Sequence, residues 1–223
     1  MTSLYIVRHC EAEGNIKRFF QGYTDGAASE NGAVQCDALA ERFKSIRLDA
    51  IYSSPLSRTV FTASAVNRYH NLPIRTDAEL IEINGGHWEG ELWARLPAKY
   101  PGEADAWESH PWDFAPKGGE SMRHVYDRIF NAVSGIASRH EGKTVAVFSH
   151  GCAIKNLLTR VIHNDITQFL NVSWCDNTGV SLIEWEGGVP RVVFQNDSSH
   201  LDDSISTLNK QKWWREGAES RFE

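Results

Sequence analysis

The 223-residue chain has only four cysteines, Cys10, Cys36, Cys152 and Cys175, and no two form a C-x-x-C pair. Zinc knuckles and thioredoxin-type redox motifs are therefore excluded. A chain of this length buries enough surface to fold without disulfides, so reduced thiols in a cytoplasmic setting are expected. No apolar run approaches the ~18 residues of a membrane span. Met1-Thr2-Ser3 leads straight into Leu4 with no basic segment and no long apolar stretch, so no signal peptide is read there. A basic surplus is missing too: 23 Lys and Arg face 29 Asp and Glu, for a net charge of -6. That balance argues against nucleic-acid or anionic-membrane partners. Repeats, linkers and low-complexity tracts are absent. A composition of 41% hydrophobic and 23% charged residues is that of an ordinary globular chain, and residues 1–223 are read as one domain.

What is present is an alternation of apolar runs and helical patterns. Residues 4–7 form a short apolar run that ends at Arg8 and reads as a buried strand. A loop dotted with Gly14, Gly22 and Gly26 follows. Cys36, Leu39, Ala40, Phe43 and Ile46 recur at helical spacing, with Ser29 as a cap upstream. Ala50-Ile51-Tyr52 reads as a second strand, and Ser54-Pro55 as a capped helix start running to about Tyr69. Residues 74–80 read as a further strand. A helix is expected from Ser121 to about Arg139, with Val125, Ile129, Val133 and Ile136 on one face. Residues 144–148 then form a buried strand leading into Ser149-His150-Gly151, and Ile154, Leu157, Leu158 and Val161 mark the next helix face. Residues 180–185 and 191–195, joined through Glu186-Gly187-Gly188, read as a hairpin. Such alternation predicts an α/β fold with a mostly parallel sheet. Ligands in these folds sit at the carboxyl ends of strands, where Arg8-His9 and His150 fall.

Residues 85–117 interrupt the rhythm. They hold Trp88, Trp93, Trp107 and Trp112, half of the chain's eight tryptophans, together with Pro97, Pro101, Pro111 and Pro116. An irregular helical insertion is expected, with the tryptophans forming its own small core or facing a substrate. Its charged residues are six acidic against three basic, Arg95, Lys99 and Lys117, which does not invite a second phosphate. Trp213-Trp214 could cover another part of the fold or mediate self-association.

Taken singly, the candidate residues are ordinary. A histidine at a strand end is usually structural, and Glu82 alone reads as a solvated loop carboxylate. Arg58 is better placed: it lies in the first turn after Ser53-Ser54-Pro55, where outward-pointing backbone N–H groups and a cation together suit an anion. Together they form a pattern. Arg8-His9-Cys10-Glu11 with Asn15 and then Gln21-Gly22 resembles the R-H-G-E-x-x-x-N opening of the histidine phosphatase superfamily, the phosphoglycerate-mutase-like group. Ser53-Ser54-Pro55-Leu56-Ser57-Arg58, then Glu82-Ile83-Asn84-Gly85-Gly86-His87-Trp88-Glu89-Gly90, Gly119-Glu120-Ser121 and Ser149-His150-Gly151 follow in the family's order. The resemblance spans at least residues 4–151.

It implies a three-layer α/β/α sandwich with residues 85–117 as a lid. It further implies that His9 is a nucleophile attacking phosphorus, with Arg8 and Arg58 clamping the phosphoryl oxygens as planar, bidentate donors. His150 would be the second pocket histidine. Asn15, the Gln21-Gly22 backbone and Gly151 would complete the phosphate site, and Glu82 would be the general acid. No metal or cofactor is implied, because the two arginines and His150, if protonated, would supply the positive charge. The substrate would be a small phosphomonoester.

One position departs from the pattern, since Cys10 stands where the family carries glycine. A rival reading takes His9-Cys10 as the opening of the H-C-x5-R loop of cysteine phosphatases. The residue that follows the five-residue gap is Ile16 and not arginine, however, and Glu11 and Glu13 carry the wrong sign beside a thiolate. The sequence around Glu82 resembles the phosphatase branch, which includes broad-specificity and α-ribazole phosphatases. Glycolytic mutases of the family, with a longer chain and a Glu-Arg-His-Tyr-Gly context, are the alternative. A non-catalytic binding member would be expected to lack His9 or Glu82, and both are present.

Overall fold

Val145, Ala146, Val147 and Phe148 are all fully buried, as in a strand covered on both faces. A computed structural model describes residues 1–211 and Phe222 and shows why. The chain runs β1 (Thr2–Arg8), α1 (Glu13–Lys17), α2 (Glu30–Phe43), β2 (Ala50–Ser53), α3 (Ser57–Asn67), β3 (Ile74–Thr76), α4 (Leu96–Lys99), α5 (Pro101–Ser109), α6 (Met122–Arg139), β4 (Thr144–Ser149), α7 (Gly151–His163), β5 (Val180–Glu186), β6 (Val189–Asp197) and α8 (Thr207–Lys210). The sheet order is β3-β2-β4-β1-β5-β6. The first four strands are parallel, β5 runs antiparallel to β1, and β6 runs antiparallel to β5.

Helices cover both faces. Leu39 and Phe43 of α2 and Ala63 and Val66 of α3 pack with Val7, Ile51, Ala146 and Phe148. On the other face Val125, Ile129, Val133 and Ile136 of α6, with Ile154, Leu157 and Leu158 of α7, pack with Leu4, Ile6, Val145, Val147 and Ile183. The fold is thus a three-layer α/β/α sandwich. After β1 the chain turns toward the α2 face, and after β4 it turns toward the α7 face. The two strands are neighbours, with Arg8 beside Ser149. Their carboxyl ends therefore open a crevice of the kind that binds ligands in such sheets. Among the described residues no helix is long and apolar enough to cross a membrane.

The helix caps follow local chemistry. Ser29 accepts from Gly32 N and starts α2, and Ser121 does the same for His124 N at α6. The hairpin turn uses Gly187 and Gly188, both at positive φ (57° and 83°), the backbone a tight turn between twisted strands requires. Two expectations are corrected. The strand expected over 74–80 ends at Thr76, because the Asp77 side chain accepts from Glu79 N and turns Ala78–Leu80 into a 3-10 helix. Ser54 does not cap a helix with Pro55 at its first position: α3 starts at Ser57, and the Ser54 hydroxyl is engaged by His150 instead.

Residues 85–117 form α4, α5 and short 3-10 turns. Trp88 is fully buried among Phe20, Trp107, Phe114 and Phe222. Trp112 packs on the same core. Trp213 and Trp214 lie outside the described residues.

Candidate active site

His9 follows the last residue of β1 and its backbone is held from several sides. Its N–H donates to Ser149 O (3.0 Å), and its carbonyl accepts from Asn177 Nδ2 (2.9 Å) and Thr178 N (3.3 Å). The next N–H, of Cys10, donates to Thr62 Oγ1 (2.9 Å). The His9 ring is held too, with Nδ1 2.7 Å from Cys10 O. A carbonyl can only accept, so Nδ1 carries the hydrogen and Nε2 carries the lone pair. Burial, then the charges of Arg58 and Arg8, hold the ring's pKa well below the usual imidazole value. The ring is therefore neutral in the pH range where most histidines begin to protonate.

Cys10 does not need to be glycine. Its φ is not among the positive values of the chain. Its buried thiol turns away from the cavity toward α2, where it meets Cys36, and a Cβ placed on Gly32 would lie 3.3 Å from its sulfur.

The two arginines are buried beside this ring. Arg8 donates from Nη1 to Cys175 O (2.5 Å). Arg58 donates to Thr24 O and Gly22 O (both 2.8 Å), and burial pulls its pKa down to about 10, which leaves it charged at neutral pH. The His150 ring lies 5.2 Å from that of His9. Its Nε2 faces Ser54 Oγ (2.8 Å) and Thr59 Oγ1 (3.2 Å). Burial, then Arg58, His9 and Arg8, also keeps it neutral by holding its pKa well below the usual value. Arg8 Nε, Arg58 Nε, His150 Nδ1 and Gln21 Nε2 are buried and have no protein partner. Buried polar atoms are normally satisfied, and an oxyanion is the partner such nitrogens would take.

Glu82 reaches the same crevice from the turn after β3. Its Oε1 accepts from Ile83 N (2.9 Å) and Ala153 N (3.0 Å), and its Oε2 from Cys152 N (3.0 Å). The carboxyl thus caps the start of α7. Burial raises its pKa, while those N–H bonds and Arg58 oppose the rise. Oε1 has both acceptor sites filled and Oε2 has one open, so Oε2 is the atom that can hold a proton. The Glu82 segment is fixed from below: Arg128 donates to Glu79 O (2.6 Å), Ile81 O (3.0 Å) and Glu82 O (3.4 Å), and forms a bidentate pair with buried Glu120 (2.7 and 2.9 Å).

Of the residues expected at the site, Arg8, His9, Asn15, Gln21, Glu82 and Gly151 line one cavity, and Arg58 and His150 stand buried beside it. Asn15 Oδ1 accepts from Ala12 N (3.0 Å) and Gln21 Oε1 from Gly14 N (2.9 Å). Gly151 lets Arg8 approach, since a Cβ there would lie 3.3 Å from Arg8 Nε. Gly22 does not line the cavity: its carbonyl serves Arg58, and a Cβ on it would meet Ile83 O at 2.1 Å. Much of the remaining wall is aromatic, from Phe19, Phe20, Trp93, Trp107 and Trp174, and it also includes Arg18 and Gln211. Trp93 and Trp107 therefore face the cavity, whereas Trp88 belongs to the core. Asn177, Ser54, Thr59 and Thr62 as holders of the histidines, and Arg128 beneath Glu82, escaped the sequence reading.

A neutral imidazole set among buried arginines at the carboxyl edge of an α/β sheet suits the handling of a phosphoryl group. Residues 4–198 match the histidine phosphatase superfamily (branch 1), and the chain belongs to that superfamily. It is 34% identical over 210 residues to phosphoserine phosphatase 1 of Hydrogenobacter thermophilus, covering 94% of this chain and 99% of that protein. A metal-independent phosphoserine phosphatase of Arabidopsis thaliana is 31% identical over 213 residues, covering 94% and 87%. The solved structure of Bacillus stearothermophilus YhfR superimposes with a TM-score of 0.87 at 33% identity, covering 91% of this chain and all of that one.

Proposed function

We propose that this chain is a metal-independent phosphomonoesterase that forms a phosphohistidine at His9, acting on small phosphorylated metabolites of the phosphoserine type. The observation that carries the reading is the His9 ring, neutral, with Nδ1 tied to Cys10 O and its lone pair on Nε2 beside two buried arginines. Nε2 attacks phosphorus and the P–O ester bond breaks. Arg8, Arg58 and His150 bind the phosphoryl oxygens, with Asn15, Gln21 and Gly151 around them, and Glu82 Oε2 gives its proton to the departing alkoxide. Water then attacks the phosphohistidine, Glu82 takes its proton, and inorganic phosphate leaves. Residues 85–117 serve as the lid of a single domain, with Trp93 and Trp107 against the leaving group. The four free, buried cysteines fit a reducing cytoplasm. Phosphoserine is favoured as substrate by relatives that carry its name, two of them described above, and these favour hydrolysis over the mutase alternative.

The test is a quenched single turnover with labelled phosphoserine. An acid-labile, base-stable protein phosphate should form in excess chelator, vanish in His9→Ala and survive in Cys10→Ser, with inorganic phosphate as the product. An acid-stable label, a label lost only on changing Cys10, or full dependence on a divalent ion overturns the reading. Return of the phosphoryl group to phosphoglycerate would instead establish the mutase.

A further inference from the structure

We propose that Glu89 is a positioning residue for the phosphate clamp: by bonding the backbone of the turn 21–24 it holds Arg58 in place. The inference rests on the proposed role of Arg58.

Arg58 is fully buried, and its orientation comes from backbone carbonyls. Nη1 donates to Thr24 O (2.8 Å), and Nη2 to Gly22 O (2.8 Å) and Gln21 O (3.4 Å). Its nearest carboxylate, Asp25, is 3.8 Å away and 41% exposed, so solvent weakens that pair. Three carbonyls from one irregular turn therefore aim the guanidinium, and whatever shapes the turn aims the clamp.

Glu89 shapes it. Oε1 accepts from Tyr23 N (2.9 Å) and Gly85 N (2.8 Å); Oε2 accepts from Thr24 N (2.9 Å) and Thr24 Oγ1 (2.5 Å). Tyr23 and Thr24 belong to the turn that seats Arg58, and Gly85 lies three residues past Glu82. The Gly85 bond anchors the carboxylate, while the Glu82 carboxyl is held separately by Ile83 N, Cys152 N and Ala153 N. A Cβ on Gly22 would stand 2.4 Å from Glu89 Oε1, so only glycine allows this approach. The four hydrogen bonds fill all four acceptor positions of the carboxylate. None remains to carry a proton toward a substrate, which separates Glu89 from the acid role of Glu82.

Glu89→Gln keeps the shape but puts an amide N–H against an N–H of Tyr23, Thr24 or Gly85. Because a misplacement of about 1 Å can cost on the order of 100-fold, we expect vanadate inhibition and kcat/KM each to weaken about 10- to 100-fold. The loss should be the same for p-nitrophenyl phosphate and phosphoserine, since both present the same phosphoryl group. In an Arg58→Lys background the Glu89→Gln change should have almost no further effect, the non-additivity of two residues acting as one unit. Thr24→Val removes a single hydroxyl donor and leaves the backbone bonds, so it should show a smaller loss with the same dependence on Arg58. Thermal melts of every variant establish that the chain is folded, and calorimetry with inorganic phosphate reads the clamp without turnover. Losses that multiply in the double variant overturn the inference, as does a larger loss on phosphoserine than on p-nitrophenyl phosphate. Unchanged phosphate and vanadate affinity in folded Glu89→Gln also overturns it. A wild-type chain that bound neither anion would overturn the proposed function itself.

Discussion

Replacing Glu82 by glutamine tests the proton donor, and the structure fixes what the replacement costs. Glutamine offers one oxygen where glutamate offers two. If its oxygen takes the place of Oε1, the bonds from Ile83 N and Ala153 N survive, and the amide nitrogen then faces the Cys152 N–H. One buried N–H loses its acceptor, a penalty of about 1–3 kcal/mol. At about 2–4 °C per kcal/mol for a chain of this size, the melting temperature should fall by about 2–12 °C, leaving the protein folded at 25 °C.

The catalytic loss should be larger and depend on substrate. An alkoxide leaves poorly without a proton, so phosphoserine should lose about 10²–10⁴ in the phosphorylation rate. p-Nitrophenolate leaves well unaided, and its rate should fall far less. Single-turnover quenched flow is required, because Glu82 is also the proposed base for water and steady-state rates would mix the two steps. Burial raises the Glu82 pKa, so the acid form persists to higher pH than an ordinary glutamate would allow. The wild-type phosphorylation rate on phosphoserine should decline as pH rises through that pKa, and the decline should be absent in Glu82→Gln. Equal losses on both substrates would reduce Glu82 to a cap of α7 and refute the acid role.

The legible parts of the chain were those whose physical signal is local. β1 and β4 are buried on both faces, so they appear as unbroken apolar runs, and α6 shows its Val125-Ile129-Val133-Ile136 stripe at helical period. Hydroxyl caps such as Ser29 are equally local. What escaped was set by contacts across the chain. Ser54 looks like a helix cap until His150, 96 residues away, claims its hydroxyl. Glu82 caps a helix 70 residues downstream, and no spacing rule announces it. Asn177 lies in an aperiodic loop, yet one signal was available. The hairpin strand β5 is antiparallel to β1, so the loop before β5 must arrive at the carboxyl end of β1, beside His9. The end of the expected strand over 74–80 failed for the opposite reason, a local Asp77 turn overriding an apolar pattern.

Three further outcomes are expected. The low-pH limb of kcat/KM should lie below pH 6.5, because protonation removes the nucleophile and the His9 pKa is depressed from that value; Arg58→Met, which deletes a neighbouring charge, should move the limb upward. A limb at or above 6.5 that ignores Arg58 would contradict the neutral-ring assignment. Arg128→Met leaves Glu120 buried without its bidentate partner, a cost of about 3–5 kcal/mol, so a melt should show a fall of about 6–20 °C. Cys10→Gly, which restores the residue the family carries, separates stability from catalysis. The buried thiol is lost and the backbone gains freedom, so stability should fall by about 1–3 kcal/mol. None of the bonds that set His9, at its N–H, its carbonyl, its Nδ1 or the Cys10 N–H, is made by the thiol. kcat/KM on p-nitrophenyl phosphate should therefore stay within about threefold, under ~0.7 kcal/mol of barrier. A change of a hundredfold in either direction in a folded variant would mean that the side chain, and not the backbone on either side of it, positions the nucleophile.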